Sequence, residues 1–579
     1  MAAITALAYG NSLHGPFVFD GEVAIVHNPT LRSLAAALRP PADGSPVTGR
    51  PLVNLSFAFN YAWGGLDSIG YHLVNLGLHV TAALTLFGIV ARTVRRLAGA
   101  GHEEVKAHPT AFAALCALLW AVHPLTTEAV TYVAQRAEAL MGLLYLLTLY
   151  GFIRGTEAAA GAGRRAWYAV AVAACAAGMA AKEVMVTAPL AVWLYDRTFV
   201  AGSWRQALRE RRRFYGALAA GWAILAGLAA AAGTRGGTIG FHTPIPWTRY
   251  AAEQTWAVAH YLRLSLWPHP LILDYGSRAP VSAGALAADG ALVAGLAAVT
   301  VAAVIGRRAL GFLGAAFFGI LAPTSSIIPI ATEIAAEHRM YLPLAAVVVA
   351  VAAGARRALR AWSWPVLAVA VAAPAAVTVR RNADYRSAVS LWTAETQAAP
   401  ASAGAHNNLG AALLAAGRMP AAADEFAAAV RLDPALAGAH NNLGQIWLRE
   451  GRFAPAIGEF AAALRLAPAY PQPRQGLAAA EYGLGHAWAL QQNWAEAIPA
   501  YEAALAADPA LVGARVDLGS ALLESGRPAE AIAAYREALR LRPDYAVAHH
   551  DLAAALHAVG RDDEARRELA AAAELKGEP

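Results

Sequence analysis

Residues 404–434 read GAHNNLGAALLAAGRMPAAADEFAAAVRLDP, and residues 438–468 repeat them as GAHNNLGQIWLREGRFAPAIGEFAAALRLAP. The offset is 34 residues. Leu409-Gly410 recurs as Leu443-Gly444, Leu518-Gly519 follows Leu484-Gly485 by 34, and Leu552-Ala553 comes another 34 later. Each unit carries a small, an aromatic and a small residue: Ala422/Phe426/Ala429, Ala456/Phe460/Ala463, Ala497/Tyr501/Ala504 and Ala531/Tyr535/Ala538. Small residues let two helices approach, the ring fills the gap to the next helix, and a proline (Pro434, Pro468, Pro509, Pro543) stops the second helix. The Gly444–Gly485 step is 41, so seven extra residues sit around Pro471–Gly476. Leu569 replaces the aromatic in the fifth unit and ends the array.

This period resembles the tetratricopeptide repeat (TPR), a helix–turn–helix unit of 34 residues. The expected division is a membrane domain at 1–380, a linker and capping half-repeat at 381–402, and a solenoid of about five repeats at 403–579. Pro400 with Ala388 and Trp392 sits one period before the first unit and marks the half-repeat.

Upstream the pattern changes. The chain of 579 residues is 58% hydrophobic and 15% charged, against about 25% charged in a soluble protein. Apolar runs occupy about 70–91, 110–122, 128–153, 166–181, 184–196, 214–233, 289–306, 309–322, 340–354 and 364–379. They predict an all-α polytopic bundle, with 252–275 as a re-entrant or interfacial helix because it holds His260, Arg263 and two prolines. The opening MAAITALAYG reads as the tail of a first span whose beginning is missing, since a spanning helix needs about 20 residues.

Charge sets the orientation. The loops 92–106, 154–165, 197–213, 307–308 and 356–360 hold 18 Lys and Arg on alternate sides of the runs, which places them in the cytoplasm. The outer loop 10–69, the segments 123–127 and 323–339 and the repeats then face outward. Only three basic residues are Lys, and Ala is abundant, as in a GC-rich bacterial genome. The expected location is therefore a multi-pass inner membrane with periplasmic repeats. The net charge of +6 sits in span-flanking loops, which is a topology signal and gives no nucleic-acid footprint. Cys116 and Cys175 lie inside apolar runs and read as buried free thiols with no disulfide.

Ionisable residues at membrane depth are costly and mark function. Asp20 and Glu22 open the outer loop, where a carboxylate could take a proton from an acceptor hydroxyl. His123, Glu128, Lys182, Glu337, His338 and Arg339 fall at outward ends of apolar runs, and Arg136 follows in the segment 121–140. The histidines, His72 and His79 among them, lack metal-ligand spacing, so no metal or other cofactor is expected. P-loop, dinucleotide-binding and nucleophile-elbow motifs are all missing from the sequence.

The stretches FVFDGEVAIVHNP (17–29), RPLVNLSFAFNYAWGGLDSIGYHLVNLGLHV (50–80), ALLWAVHPLTTEAVTYVAQRAEAL (117–140), AAKEVMVTAPLAVWLYDRTF (180–199) and APTSSIIPIATEIAAEHRMYLPLA (322–345) resemble the transmembrane and TPR-containing proteins. These are GT-C type glycosyltransferases similar to protein O-mannosyltransferases. The resemblance implies a polyprenyl-phosphate sugar as donor substrate, mannose or another hexose. It implies a Ser/Thr hydroxyl of an extracytoplasmic protein as acceptor, with the TPR groove holding that acceptor or a partner. It also implies an acidic pair in the first outer loop. Asp20 matches the first acid, Gly21 stands where close relatives carry the second, and Glu22 is the other acid in reach. Arg339, helped by Lys182, would stabilise the leaving phosphate, with His338, His123, Glu128 and Arg136 as further substrate-binding candidates. Two other readings are a membrane-anchored TPR scaffold for envelope complexes without catalysis and a lipid-sugar transporter. Ten apolar runs are more than an anchor needs, and a transporter would place its ionisable residues at mid-bilayer.

Overall fold

The computed structural model describes residues 1–99, 108–232, 245–276, 282–326, 328–330, 333–359 and 363–577. Lys106 and Arg360, counted above among the cytoplasmic charges, lie outside the described residues, as does part of the loop 323–339. The chain is helical, and no β-strand forms among the described residues. It divides into two compact units, Met1–Pro400 and Ala401–Pro579.

In the first unit the ten apolar runs are largely helical over their described residues, with 128–153 divided among Thr127–Thr131, Val133–Gln135 and Arg136–Glu157, and 184–196 between Glu183–Thr187 and Ala188–Phe199. Five helices are long and apolar enough to cross a membrane: Ser68–Ala98, Val133–Glu157, Trp204–Ala231, Ala283–Ile305 and Trp364–Asp384. Pro109–Ala121 and Pro124–Thr131, bent by 58° at their junction, add up to one more. Ala309–Leu321 has 13 residues, about 20 Å at 1.5 Å per residue, against a hydrocarbon core of about 30 Å. The segment 252–275 gives the helix Trp247–Leu266 followed by an irregular stretch. The eight-residue helix Ala2–Tyr9 touches the helices Ser68–Gly99 and Ser363–Asp384. Tyr9 Oη lies 2.8 Å from Thr126 Oγ1, and Asn382 donates to the Ala8 carbonyl. The helix Ala388–Ala398 belongs to this unit, and its Trp392 is buried against the outer loop. Cys116 and Cys175 are buried free thiols.

The second unit is a run of paired helices from Ala403 to Lys576, and the repeated residues explain the pairing. A Cβ on Gly410 would lie 2.7 Å from the buried Phe426 ring, and one on Gly519 2.7 Å from Tyr535. Glycine is what lets the two helices of a pair close over the aromatic. The flanking Ala422, Ala429, Ala531 and Ala538 are fully buried. His406–Glu425, His440–Glu459 and His549–Glu568 bonds of 2.5–2.6 Å join first helix to second. The seven extra residues lengthen one first helix: Pro471–Leu490 has 20 residues where Ala403–Ala415 has 13. Leu569 is exposed at the end of the array. Successive first helices touch one another, so they line one face. There Asn442 Nδ2 donates to Asn407 Oδ1 across repeats at 3.0 Å.

Candidate functional site

The bend after Ala121 builds the centre of the first unit. His123 Nδ1 accepts the Leu125 N–H and caps the turn that starts at Pro124. A helix of five residues follows, and Tyr132 breaks it with extended backbone before the helix Arg136–Glu157. This staircase aims Glu128 and Glu138 at one side chain, His338. Glu128 Oε2 accepts the His338 N–H at 2.8 Å, and its Oε1 lies 2.6 Å from His338 Nδ1. His338 Nε2 stands 3.7 Å from Glu138 Oε1, which also takes the Lys182 ammonium. All four side chains are at most 8% exposed. Charges this deep persist only when paired and hydrogen-bonded, and this row is.

A second row crosses beside it. Glu337 Oε1 accepts the Ile272 N–H at 2.5 Å and the Tyr275 O–H at 3.0 Å. Burial pushes the Glu337 carboxyl up to about 8. Arg381 pairs with Glu395 at 3.1 Å and with Asp384 at 3.2 Å. Glu395 in turn accepts the Leu273 N–H at 2.8 Å.

Asp20 enters from the outer loop. Phe19 takes a left-handed φ of 51°, a costly backbone for an aromatic residue. That turn sets the Phe19 ring edge-on to Trp392 at 5.2 Å and points the Asp20 N–H at Tyr132 Oη, 2.8 Å away. The Asp20 carboxyl is pushed up to about 6, mainly by burial, with the negative charges of Glu128 and Asp274 adding and the Tyr132 hydroxyl opposing. Asp20 therefore stands within electrostatic reach of the Glu128–His338 row. Glu22, two residues on, is exposed at the start of the helical turn Glu22–Val26.

Besides Lys182, two more of the expected substrate-binding cations are engaged by internal partners. The Arg339 guanidinium donates to the carbonyls of Thr324, Glu333 and Ile334 and lies 3.5 Å from the Glu333 carboxylate. Arg136 is fully buried, bonding Asn75, Asn60, Ser56 and the Tyr71 carbonyl and stacking 4.4 Å from Phe57. It ties the helices Pro51–Gly64 and Ser68–Gly99 together. His79 likewise bonds Tyr341 Oη and the Ala121 carbonyl, and His72 bonds the Gly15 carbonyl. Among the described residues no group of three or more His, Cys, Asp or Glu is placed to hold a metal ion.

Next to Arg381 opens a cleft of about 880 Å³. Leu119, Val347, Val351, Leu367, Ala370 and Val377 give it apolar walls, and His123, Arg380, Arg381 and Asp384 give it a polar end. Arg380 is exposed and has no ion-pair partner among the described residues. The Arg381–Glu395 pair and the Trp392–Phe19 contact, both on the helix Ala388–Ala398, link this end to Asp20. Arg380 and Arg381 stand in the sequence as two arginines closing an apolar run that the charge pattern is expected to end outward, where arginine is disfavoured. Tyr132, Asp274, Glu138 and Glu395 carried no such signal.

Comparison with known proteins follows the same division. Tetratricopeptide-repeat family models match residues 375–437, 437–471 and 489–533, and a TPR-repeat model matches 519–560. The chain carries TPR repeats. An alignment 312 positions long, which covers 48% of the chain, is 30% identical to Protein O-mannosyl-transferase Tmtc1 of Drosophila melanogaster and covers 34% of that protein. An alignment 169 positions long, which covers 27% of the chain, is 34% identical to Protein O-mannosyl-transferase TMTC1 of Homo sapiens, covering 18% of it. Drosophila melanogaster Tmtc2, also named a protein O-mannosyl-transferase, is 32% identical over 47% of the chain and 30% of its own length. The chain thus matches about a third or less of these relatives. Among solved structures, the TPR protein YrrB aligns with 33% of the chain and 94% of its own, at 18% identity and a TM-score of 0.27. A MamA structure aligns with 30% and 92%, at 22% identity and a TM-score of 0.25.

Proposed function

We propose that this protein is a membrane glycosyltransferase of GT-C type. It moves mannose or another hexose from a polyprenyl-phosphate donor to a Ser/Thr hydroxyl of an extracytoplasmic polypeptide. One observation carries the reading: Asp20 is linked, through Phe19, Trp392 and the Arg381–Glu395 pair, to the cationic end of a long apolar cleft. The likeness to proteins named protein O-mannosyl-transferases supports it.

The isoprenoid tail lies along the apolar walls and the phosphate stops at the arginines. The acceptor oxygen attacks the anomeric carbon from the face opposite the phosphate. The carbon–oxygen bond to phosphate breaks with inversion, and an Asp20 carboxylate oxygen takes the hydroxyl proton. The leaving phosphate gains negative charge, which the Arg380 guanidinium meets, having no ion-pair partner among the described residues. Arg339 and Lys182 hold the surrounding frame in this reading, because their charges are taken by internal partners. No metal enters the scheme. The arginine-rich loops support an inner-membrane location with site and repeats outside the cytoplasm. The amide-lined face of the repeats receives the acceptor or a partner polypeptide.

The test is reconstitution in nanodiscs with a mannosyl-phosphoryl-polyprenol and a Ser/Thr peptide, read by mass spectrometry. A hexose on the peptide is expected. Folded protein that adds none, with that donor and with other hexosyl-phosphoryl-polyprenols, would overturn the proposal.

A further inference from the structure

Tyr132 has no part in the reaction just described, yet its hydroxyl holds the Asp20 backbone N–H. It is 2% exposed. It sits at the break between Thr127–Thr131 and the next helical turn, and that extended backbone turns its ring toward the outer loop. Its Oη accepts the Asp20 N–H at 2.8 Å, which leaves the phenol hydrogen to donate to a neighbouring acceptor. A phenol can do both, since its oxygen accepts while its one hydrogen donates.

Behind Tyr132 stands Tyr385, 2% exposed, with ring centroids 6.2 Å apart. Tyr385 Oη has no hydrogen-bond partner among the described residues. Buried hydroxyls are seldom left so. Both tyrosines line a small cavity of about 10 Å³, together with Val18, Gly21 and Thr131. That is about the space one water needs, and such a water also needs two or more polar partners. Thr131, Tyr132 and Tyr385 are the hydroxyl-bearing residues that line the cavity.

We infer that Tyr132 is the positioning residue of the Asp20 carboxylate, and that Tyr385 backs it through one water held in this cavity. The inference rests on Asp20 acting as the base. The other titratable groups facing Asp20 are the acids Glu128 and Asp274, which both oppose its ionisation. The phenol is the group that favours the charged carboxylate and fixes which lone pair points outward. Substitution by Phe keeps the ring and its packing and removes only the hydroxyl.

The experiment measures rate against pH for the full chain in nanodiscs, with a mannosyl-phosphoryl-polyprenol and a Ser/Thr peptide. For Tyr132→Phe, the acid limb should move up by about one pH unit, with kcat lowered roughly fivefold at pH 6 and the donor KM unchanged. Tyr385→Phe should move the limb in the same direction by less. A Tyr132→Phe profile that overlies the parent, from protein melting at the parental temperature, overturns the inference. Should Tyr132→Phe fail to fold, the Tyr385→Phe profile decides in the same way. Asp20→Asn, run alongside, separates the two ideas. If it is inactive while both Phe variants match the parent, only the positioning role falls; if it is fully active, the catalytic reading falls as well.

Discussion

Transfer should have an acid limb set by Asp20. Its carboxyl is held at about 6 by burial and by the neighbouring charges of Glu128 and Asp274, against an ordinary value of 3.8. Only the ionised form has a lone pair ready for the acceptor proton. A group titrating near 6 is ionised about 90% at pH 7 and about 10% at pH 5, so kcat/KM should drop roughly tenfold between them. An unperturbed aspartate would lose under about a tenth over that range. The sign for stability is opposite. The folded value lies above the unfolded one, so the folded state binds more protons between about 4 and 6 and loses stability as pH rises through that window. Replacing Asp20 by Asn removes that cost, and its melting temperature at pH 7 should equal or exceed the parent's. The assay is initial-rate hexose transfer in nanodiscs from pH 4.5 to 8, with recovery on returning to pH 7 as the control for unfolding. A flat rate from pH 5 to 7, with the protein intact, would refute the placement of Asp20 as the base.

Other consequences follow from single residues. Arg136→Ala strands Asn75, Asn60 and the Tyr71 carbonyl in the interior and should cost about 3–5 kcal/mol, read as a large drop in thermal stability; a loss of donor affinity at unchanged stability would instead put Arg136 at the substrate. Gly410→Ala drives a methyl into the Phe426 ring and should cost about 1–3 kcal/mol, seen as faster hydrogen exchange over 403–432, and unchanged exchange there would contradict the packing argument. Arg380→Gln should raise the donor KM severalfold and spare stability, since the guanidinium has no ion-pair partner among the described residues; an unchanged donor KM removes it from the phosphate site.

The repeat array was legible because its period is a packing rule. A small residue and a ring must meet once per unit, and the structure puts Gly410 on Phe426 and Gly519 on Tyr535. Even the seven added residues took the simplest form, two more turns on one helix. The membrane half was legible as helices and less so as spans, because composition marks an apolar run without saying how far it reaches: Ala309–Leu321 is as apolar as any and too short to cross. In the candidate site the residue types were visible and the partners were not. Sequence shows that Arg339 and Arg136 are cations at membrane depth. It does not show that carbonyls at 324, 333 and 334 surround the first, or that Asn60 and Asn75 grip the second. Those pairings depend on how distant segments cross. Tyr132 was hidden for the same reason, since a tyrosine in an apolar segment looks like core until its hydroxyl is found on Asp20.

One comparison bears on everything above: the rate of hexose transfer to a Ser/Thr peptide by Asp20→Asn relative to the parent, at equal folded protein and saturating polyprenyl-phosphate donor. Loss of a general base is expected to lower it by about 10²–10⁴-fold, with donor binding in the cleft retained. A rate within twofold of the parent would mean that the outer-loop carboxylate takes no proton and that the chemistry, if any, lies elsewhere.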